Sequence, residues 1–227
     1  MRSITLFRND MTAVSRLAAK ADIRYYLNGV LLEIGAMSSR LVATDGHILG
    51  VLHLPDVGDP KLIGQSEQHI IPNDVIAKMK PKKRGDNKVE FIINDPDKDG
   101  NVKAVARFDG ETIDFQMVNG RYPEYRKIIG KRAAGGIVQI DPELLVRFKK
   151  AVIDLGDSRG WMQVTANQAA GTSASFLTCF DKRFFAVVMP WINEGQAGPL
   201  PYDAPAWVHA PIVPPALPLL LEMKAAA

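Results

Sequence analysis

The sequence predicts an α+β fold made from one repeated unit, and three observations predict it. A short strand, a short one-sided helix and a run of β-prone segments recur three times in succession, the signature of a modular architecture. Each helix carries its apolar residues on a single face, so each must lie on something. Turn signals at Asp45-Gly46, Asp95 to Asn101 and Asp109-Gly110 separate adjacent β-prone segments.

In the first unit, Ile4 to Phe7 alternates and reads as a strand. Asn9 or Asp10 is expected to cap a helix with Met11, Val14, Leu17 and Ala18 inward and Arg16 and Lys20 outward. Tyr25 to Ile34 and Arg40 to Thr44 read as strands joined by a Gly-Ala-Met-Ser-Ser turn, and Ile48 to Leu54 as a strand ended by Pro55. In the second, His69 to Ile71 is a strand, and Pro72-Asn73-Asp74 opens a helix through Val75, Ile76 and Met79 that Pro81 stops. Strands follow at Lys88 to Asn94, Val102 to Phe108 and Thr112 to Val118. In the third, Ile137 to Ile140 is a strand, Asp141 an N-cap and Pro142 the first helical residue. Leu144, Leu145, Phe148 and Val152 form that helix's inner face, and strands follow at Trp161 to Ala166, Ser173 to Cys179 and Phe184 to Met189. From Glu194 the chain turns proline- and alanine-rich and nearly uncharged, which reads as an extended tail.

With 47% apolar and 23% charged residues and a mean hydropathy of -0.04, the 227-residue chain has the composition of a soluble globular protein. Its longest apolar stretch falls far short of the roughly 20 residues of a membrane helix. The N-terminus has no apolar core of a secretion signal, and the single Cys179 excludes an intrachain disulfide, so cytoplasmic residence is expected.

Catalytic signals are poor. Asp95, Asp97, Asp99 and Gly100 imitate the start of a calcium loop, but Ala106 stands where a bidentate Glu is needed, so a hairpin turn is expected. Asp45 and His47 lack a nucleophile beside them, the four histidines lack zinc spacing, and no phosphate-binding glycine loop is present. No catalytic residue, metal or cofactor is therefore assigned.

The net charge is only +3, yet Lys78, Lys80, Lys82, Lys83 and Arg84 run without an acid, as do Arg147, Lys149 and Lys150. A solvated face accounts for any one such run. If the three helices lie side by side, however, these residues and Lys20 make one positive strip suited to phosphate contact without sequence reading. The candidate DNA-binding residues are Lys20, Lys78, Lys80, Lys82, Lys83, Arg147, Lys149 and Lys150.

Four runs carry a resemblance. Asp22-Ile23-Arg24-Tyr25-Tyr26-Leu27-Asn28-Gly29-Val30, Val42-Ala43-Thr44-Asp45-Gly46-His47 and Gly120-Arg121-Tyr122-Pro123-Glu124-Tyr125-Arg126 resemble the middle domain of the bacterial DNA polymerase III β sliding clamp family. Ala186-Val187-Val188-Met189-Pro190 resembles that family's closing strand. The resemblance implies a DNA-clamp fold of β-α-β-β-β half-units, about three in this chain, with helices lining a hole for duplex DNA. It implies a middle-type domain over 1–130 and a half-domain over 131–194 like the second half of the family's last domain, with the proline- and alanine-rich tail over 195–227 left outside the resemblance. Closing a ring from chains this short would need a homo-oligomer.

The resemblance also implies partners, namely polymerases or repair proteins that insert a short peptide, commonly beginning with Gln and carrying spaced Leu or Phe. The matching pocket positions are Leu27, Thr44, Gly46, His47, Leu49, Pro123, Lys127, Ile128, Val187, Val188, Met189 and Pro190. Ile48 stands where the family usually has Arg. The alternatives are that these are packing residues, and that the protein forms no ring and competes for clamp-binding proteins. Leu217, Leu219 and Leu220 in the tail are expected either to dock in such a pocket or to cover another apolar patch.

Overall fold

The computed structural model describes residues 1–129, 140–165 and 174–189. All of them fall within one compact unit, Met1–Asn193. The first repeat comprises β1 (Arg2–Phe7), α1 (Arg8–Ser15), β2 (Gly29–Ile34), β3 (Ser39–Thr44) and β4 (Ile48–Leu54). The second comprises β5 (Glu67–Pro72), α2 (Asn73–Lys78), β6 (Lys88–Ile93), β7 (Lys103–Phe108) and β8 (Glu111–Gln116). Of the third, α3 (Pro142–Asp154), β9 (Gln163–Thr165), β10 (Ser175–Thr178) and β11 (Phe184–Val188) are described. The expected strand at 137–140 lies outside the described residues except for Ile140, and the tail from 195 lies wholly outside them.

The strands pair antiparallel in two sheets, ordered β1-β6-β7-β8 and β5-β2-β3-β4-β11-β10-β9. The first strand of each of the first two repeats therefore joins the other repeat's sheet, Ile4 opposite Phe91 and Leu31 opposite Ile70. The third repeat joins through β4 and β11, with Leu49 opposite Val187 and Val51 opposite Phe185. α1 packs against both α2 and α3.

One face of the sheets takes the helices. Leu6, Met11, Val14, Leu17, Leu32, Leu41, Phe91, Phe148 and Phe184 are closed off there, each stabilising the fold by about 1.5–3 kcal/mol on burial. Gly50 lets α1's exit come close, since a Cβ on it would stand 2.3 Å from Leu17 Cδ1. The rings of Phe148 and Phe184 stack at 5.2 Å and fasten α3 to β11. The other face of the seven-stranded sheet buries Leu27, Leu31, Val42, Leu49, Val51, Ile70 and Val187 with Tyr122 and Tyr125. Burial on both faces is why β2 and β4 read as nearly continuous apolar runs.

Local signals misplaced two features. Neither Asn9 nor Asp10 caps α1, because β1 runs directly into the helix at Arg8. Asp10 is instead buried beside Arg183 at 3.3 Å, and Asn9 donates to the Asp154 carbonyl. The expected strand from Tyr25 opens as a 3-10 turn over Tyr25–Leu27 before β2 begins. Other expectations match: Asp141 caps α3 by accepting the Glu143 N–H, and Asp97 closes the β6–β7 hairpin by accepting the N–H groups of Asp99 and Asn101. Among the described residues no helix is long and apolar enough to cross a membrane.

Candidate functional site

The turn between β3 and β4 is built by its own side chains. Thr44 Oγ1 accepts the Gly46 N–H at 3.1 Å, and one Asp45 oxygen accepts the N–H groups of His47 and Ile48 at 2.8 and 3.0 Å. Gly46 takes φ +98°, a conformation that side chains resist. The other Asp45 oxygen pairs with the Arg147 guanidinium. Burial pushes the Asp45 carboxyl up, but the bonds from Arg147, Ile48 and His47 outweigh it and hold the group below its ordinary value. Asp45 is thus a structural acceptor and the His47 side chain stands exposed, so the two form no acid–base pair.

Strand register brings several of the predicted pocket residues near one another. Thr44 lies opposite Leu49, and Leu49 opposite Val187. The Met189 N–H donates to the His47 carbonyl at 2.9 Å. Leu27, Leu49 and Val187 share one apolar cluster with Tyr122 and Tyr125 and are 1–2% exposed. Gly46, His47, Pro123, Lys127, Ile128 and Met189 are exposed. Of the predicted pocket residues, Leu27, Thr44, Leu49 and Val187 are thus buried in the core, and the six just named lie at the surface. Val188 is a correction: strand alternation turns it to the helix-side core. Ile48 turns the same way and packs there. Pro190 lies outside the described residues.

Sequence reasoning missed the cluster that holds the covering segment in place. Glu33 is 4% exposed and receives the Tyr125 hydroxyl, the guanidinium groups of Arg126 and Arg40, and the Gln68 amide. Its one signal was a lone acid within the apolar run Gly29–Ile34.

The basic residues lie on or beside the helices. Lys20 follows α1, Lys78 ends α2, and Lys80, Lys82 and Lys83 occupy the loop after it. Buried Arg8 braces that loop through the carbonyls of Lys80 and Asp86. Lys149 and Lys150 are exposed on α3. Among the described residues, Lys20, Lys78, Lys80, Lys83, Lys149 and Lys150 form no ion pair, whereas Lys82 meets Asp109 at 2.9 Å. Arg147 is half-buried and faces protein acceptors rather than solvent.

Half-units that exchange their first strands, with helices on one face and long antiparallel sheets behind them, define a protein of the DNA-clamp fold. The family model for the DNA polymerase III beta subunit, central domain, matches residues 4–124, more than half of the chain, and the chain belongs to that family. It is 37% identical to the beta sliding clamp of Escherichia coli K12 over 118 residues, 50% of this chain and 28% of that protein. It is 30% identical to that of Proteus mirabilis over 159 residues, 66% of this chain and 41% of that protein. These matches thus span well under half of the relatives' lengths. A solved DNA polymerase sliding clamp from Pseudomonas aeruginosa superposes with a TM-score of 0.58 at 19% identity, over 84% of this chain and 67% of that one, a likeness of fold.

Proposed function

We propose that this chain is a clamp-like factor of DNA replication or repair in the cytoplasm. It holds duplex DNA without reading sequence and tethers partner proteins that carry clamp-binding peptides, with no catalysis of its own. The observation that supports this reading is an opposition of surfaces. Lysines that form no ion pair among the described residues stand on or beside three adjoining helices, while the Thr44–Leu49–Val187 row lies on the far face of the sheet. Phosphates favour the first surface, and an apolar peptide with a polar edge favours the second.

The test is retention on closed circular duplex DNA. A homo-oligomer that encircles the duplex stays bound through a salt wash and leaves when the circle is cut. A monomer that slips off both forms yet binds the peptide would replace this reading with that of a competitor for clamp-binding proteins. Light scattering on the same sample supplies the mass that separates the two.

A further inference from the structure

We infer that Arg147 is a positioning residue for the peptide-docking turn and not a contact to DNA, an inference whose functional meaning rests on the peptide site proposed above. Its guanidinium reaches three acceptors in three directions. Nε donates to the Arg16 carbonyl at 2.9 Å and Nη2 to the Ala18 carbonyl at 3.1 Å. Both carbonyls belong to the segment just past the end of α1, Arg16 being its C-cap. Nη1 takes the Asp45 carboxylate. With its side chain only 26% exposed, Arg147 has little surface left for a phosphate.

Asp45 passes this anchorage on. Its other oxygen holds the His47 and Ile48 N–H groups, and the His47 carbonyl in turn receives the Met189 N–H. One unbroken path therefore runs from Arg147 on α3, which is also tied to the segment after α1, through Asp45 and His47 to exposed Met189 of the proposed peptide site. No other cationic side chain among the described residues reaches the Asp45 carboxylate. Arg24 touches only the Asp45 carbonyl, and its own charge pairs with Asp22. Lysine cannot substitute, because a single ammonium does not span three acceptors set apart in a planar fork. The neighbouring Lys149 and Lys150 keep the role of phosphate contacts, so one short helix carries two separable functions.

The experiment compares full-length R147K, R147A, D45N and K149A with the native chain. Three quantities are read: backbone amide shifts of Gly46, His47 and Ile48 by NMR, affinity for a fluorescent peptide beginning with Gln and carrying spaced Leu and Phe, and the salt dependence of duplex binding. R147K, R147A and D45N should each move the turn amides and weaken the peptide about tenfold, the scale of one lost charge-assisted hydrogen bond. Their log–log salt slope should match the native one, while K149A lowers the slope by about 0.9 and leaves the peptide affinity alone. Unmoved turn amides in R147K, or a salt slope that falls by about 0.9 in that variant, would overturn the inference. If R147A does not fold, R147K and D45N decide it. If the native chain binds no peptide, the peptide site itself fails, and the turn amides alone still report whether Arg147 positions the turn.

Discussion

The Tyr125 hydroxyl donates a 2.8 Å hydrogen bond to Glu33, 92 positions earlier in the chain. Burial and this bond push the Tyr125 phenol up to about 12, so it remains a donor throughout the physiological range. Through Glu33 the segment after β8 is tied across the sheet, and it carries the tyrosines that pack with Leu31, Val42 and Val51. Y125F keeps the ring and removes the donor to a charged acceptor. It should cost about 1.5–3 kcal/mol, read as a lower urea midpoint at an unchanged m-value. A native midpoint in Y125F would mean that the ring alone holds the segment.

Acid should destabilise the protein through this same group. Burial raises the Glu33 carboxyl, but the bonds from Arg126, Tyr125 and Gln68 outweigh it and hold the group below its ordinary 4.5. Asp45 is likewise held below 3.8. A depressed carboxyl contributes stability that is present above its unfolded value and lost as pH falls through the folded value. Asp10 has the opposite sign. Its burial, only partly offset by Arg183, raises it above 3.8, so its contribution is full below that pH and fades as pH rises through the folded value. Urea unfolding at stepped pH should therefore show stability dropping below about 4.5. E33Q should flatten that acid limb, and an equal slope in both proteins would remove Glu33 as its source.

Gly29 sits where β2 meets the end of β5. A Cβ there would lie 2.6 Å from the Ile71 carbonyl oxygen and 2.8 Å from Ile70 Cγ2. Backbone cannot yield as a side-chain tip can, so G29A should cost about 1–3 kcal/mol by overpacking. Thermal unfolding followed by circular dichroism measures it, and an unchanged midpoint would show that β5 shifts freely.

Phe148 tests whether the third repeat shares one core with the first two. It is fully buried, stacked on Phe184, in the cluster that also holds Met11 and Leu41. F148A should lower a single cooperative transition by about 3–5 kcal/mol. Two resolved transitions, with only one of them shifted, would mean that α3 and β9 to β11 unfold on their own.

The paired change K149A/K150A should lower the salt slope of duplex binding by about 0.9 for each phosphate contact removed. K82A should change it less, because Lys82 already faces Asp109. An equal loss from K82A would show that DNA displaces that carboxylate.

The sequence by itself determined the kind and order of the elements. Period-two runs such as Lys88 to Ile93, the one-sided helix at Leu144, Phe148 and Val152, and the Asp141-Pro142 start are local patterns, and each survives in the structure because nothing distant opposes it. Family membership was legible too, since short runs such as Ala43-Thr44-Asp45-Gly46-His47 keep their order along the chain. Only the tertiary structure decided which sheet β1 and β5 enter, which face of β11 Val188 takes, and why Asp10 is no cap. It also decided the work of the charged groups. A guanidinium has the same chemistry for a phosphate as for a carboxylate, and the sequence placed Arg147 among lysines on a helix. The acceptors that claim it, the Asp45 carboxylate and the Arg16 and Ala18 carbonyls, arrive from more than 100 positions away, and no local pattern can register a partner at that distance.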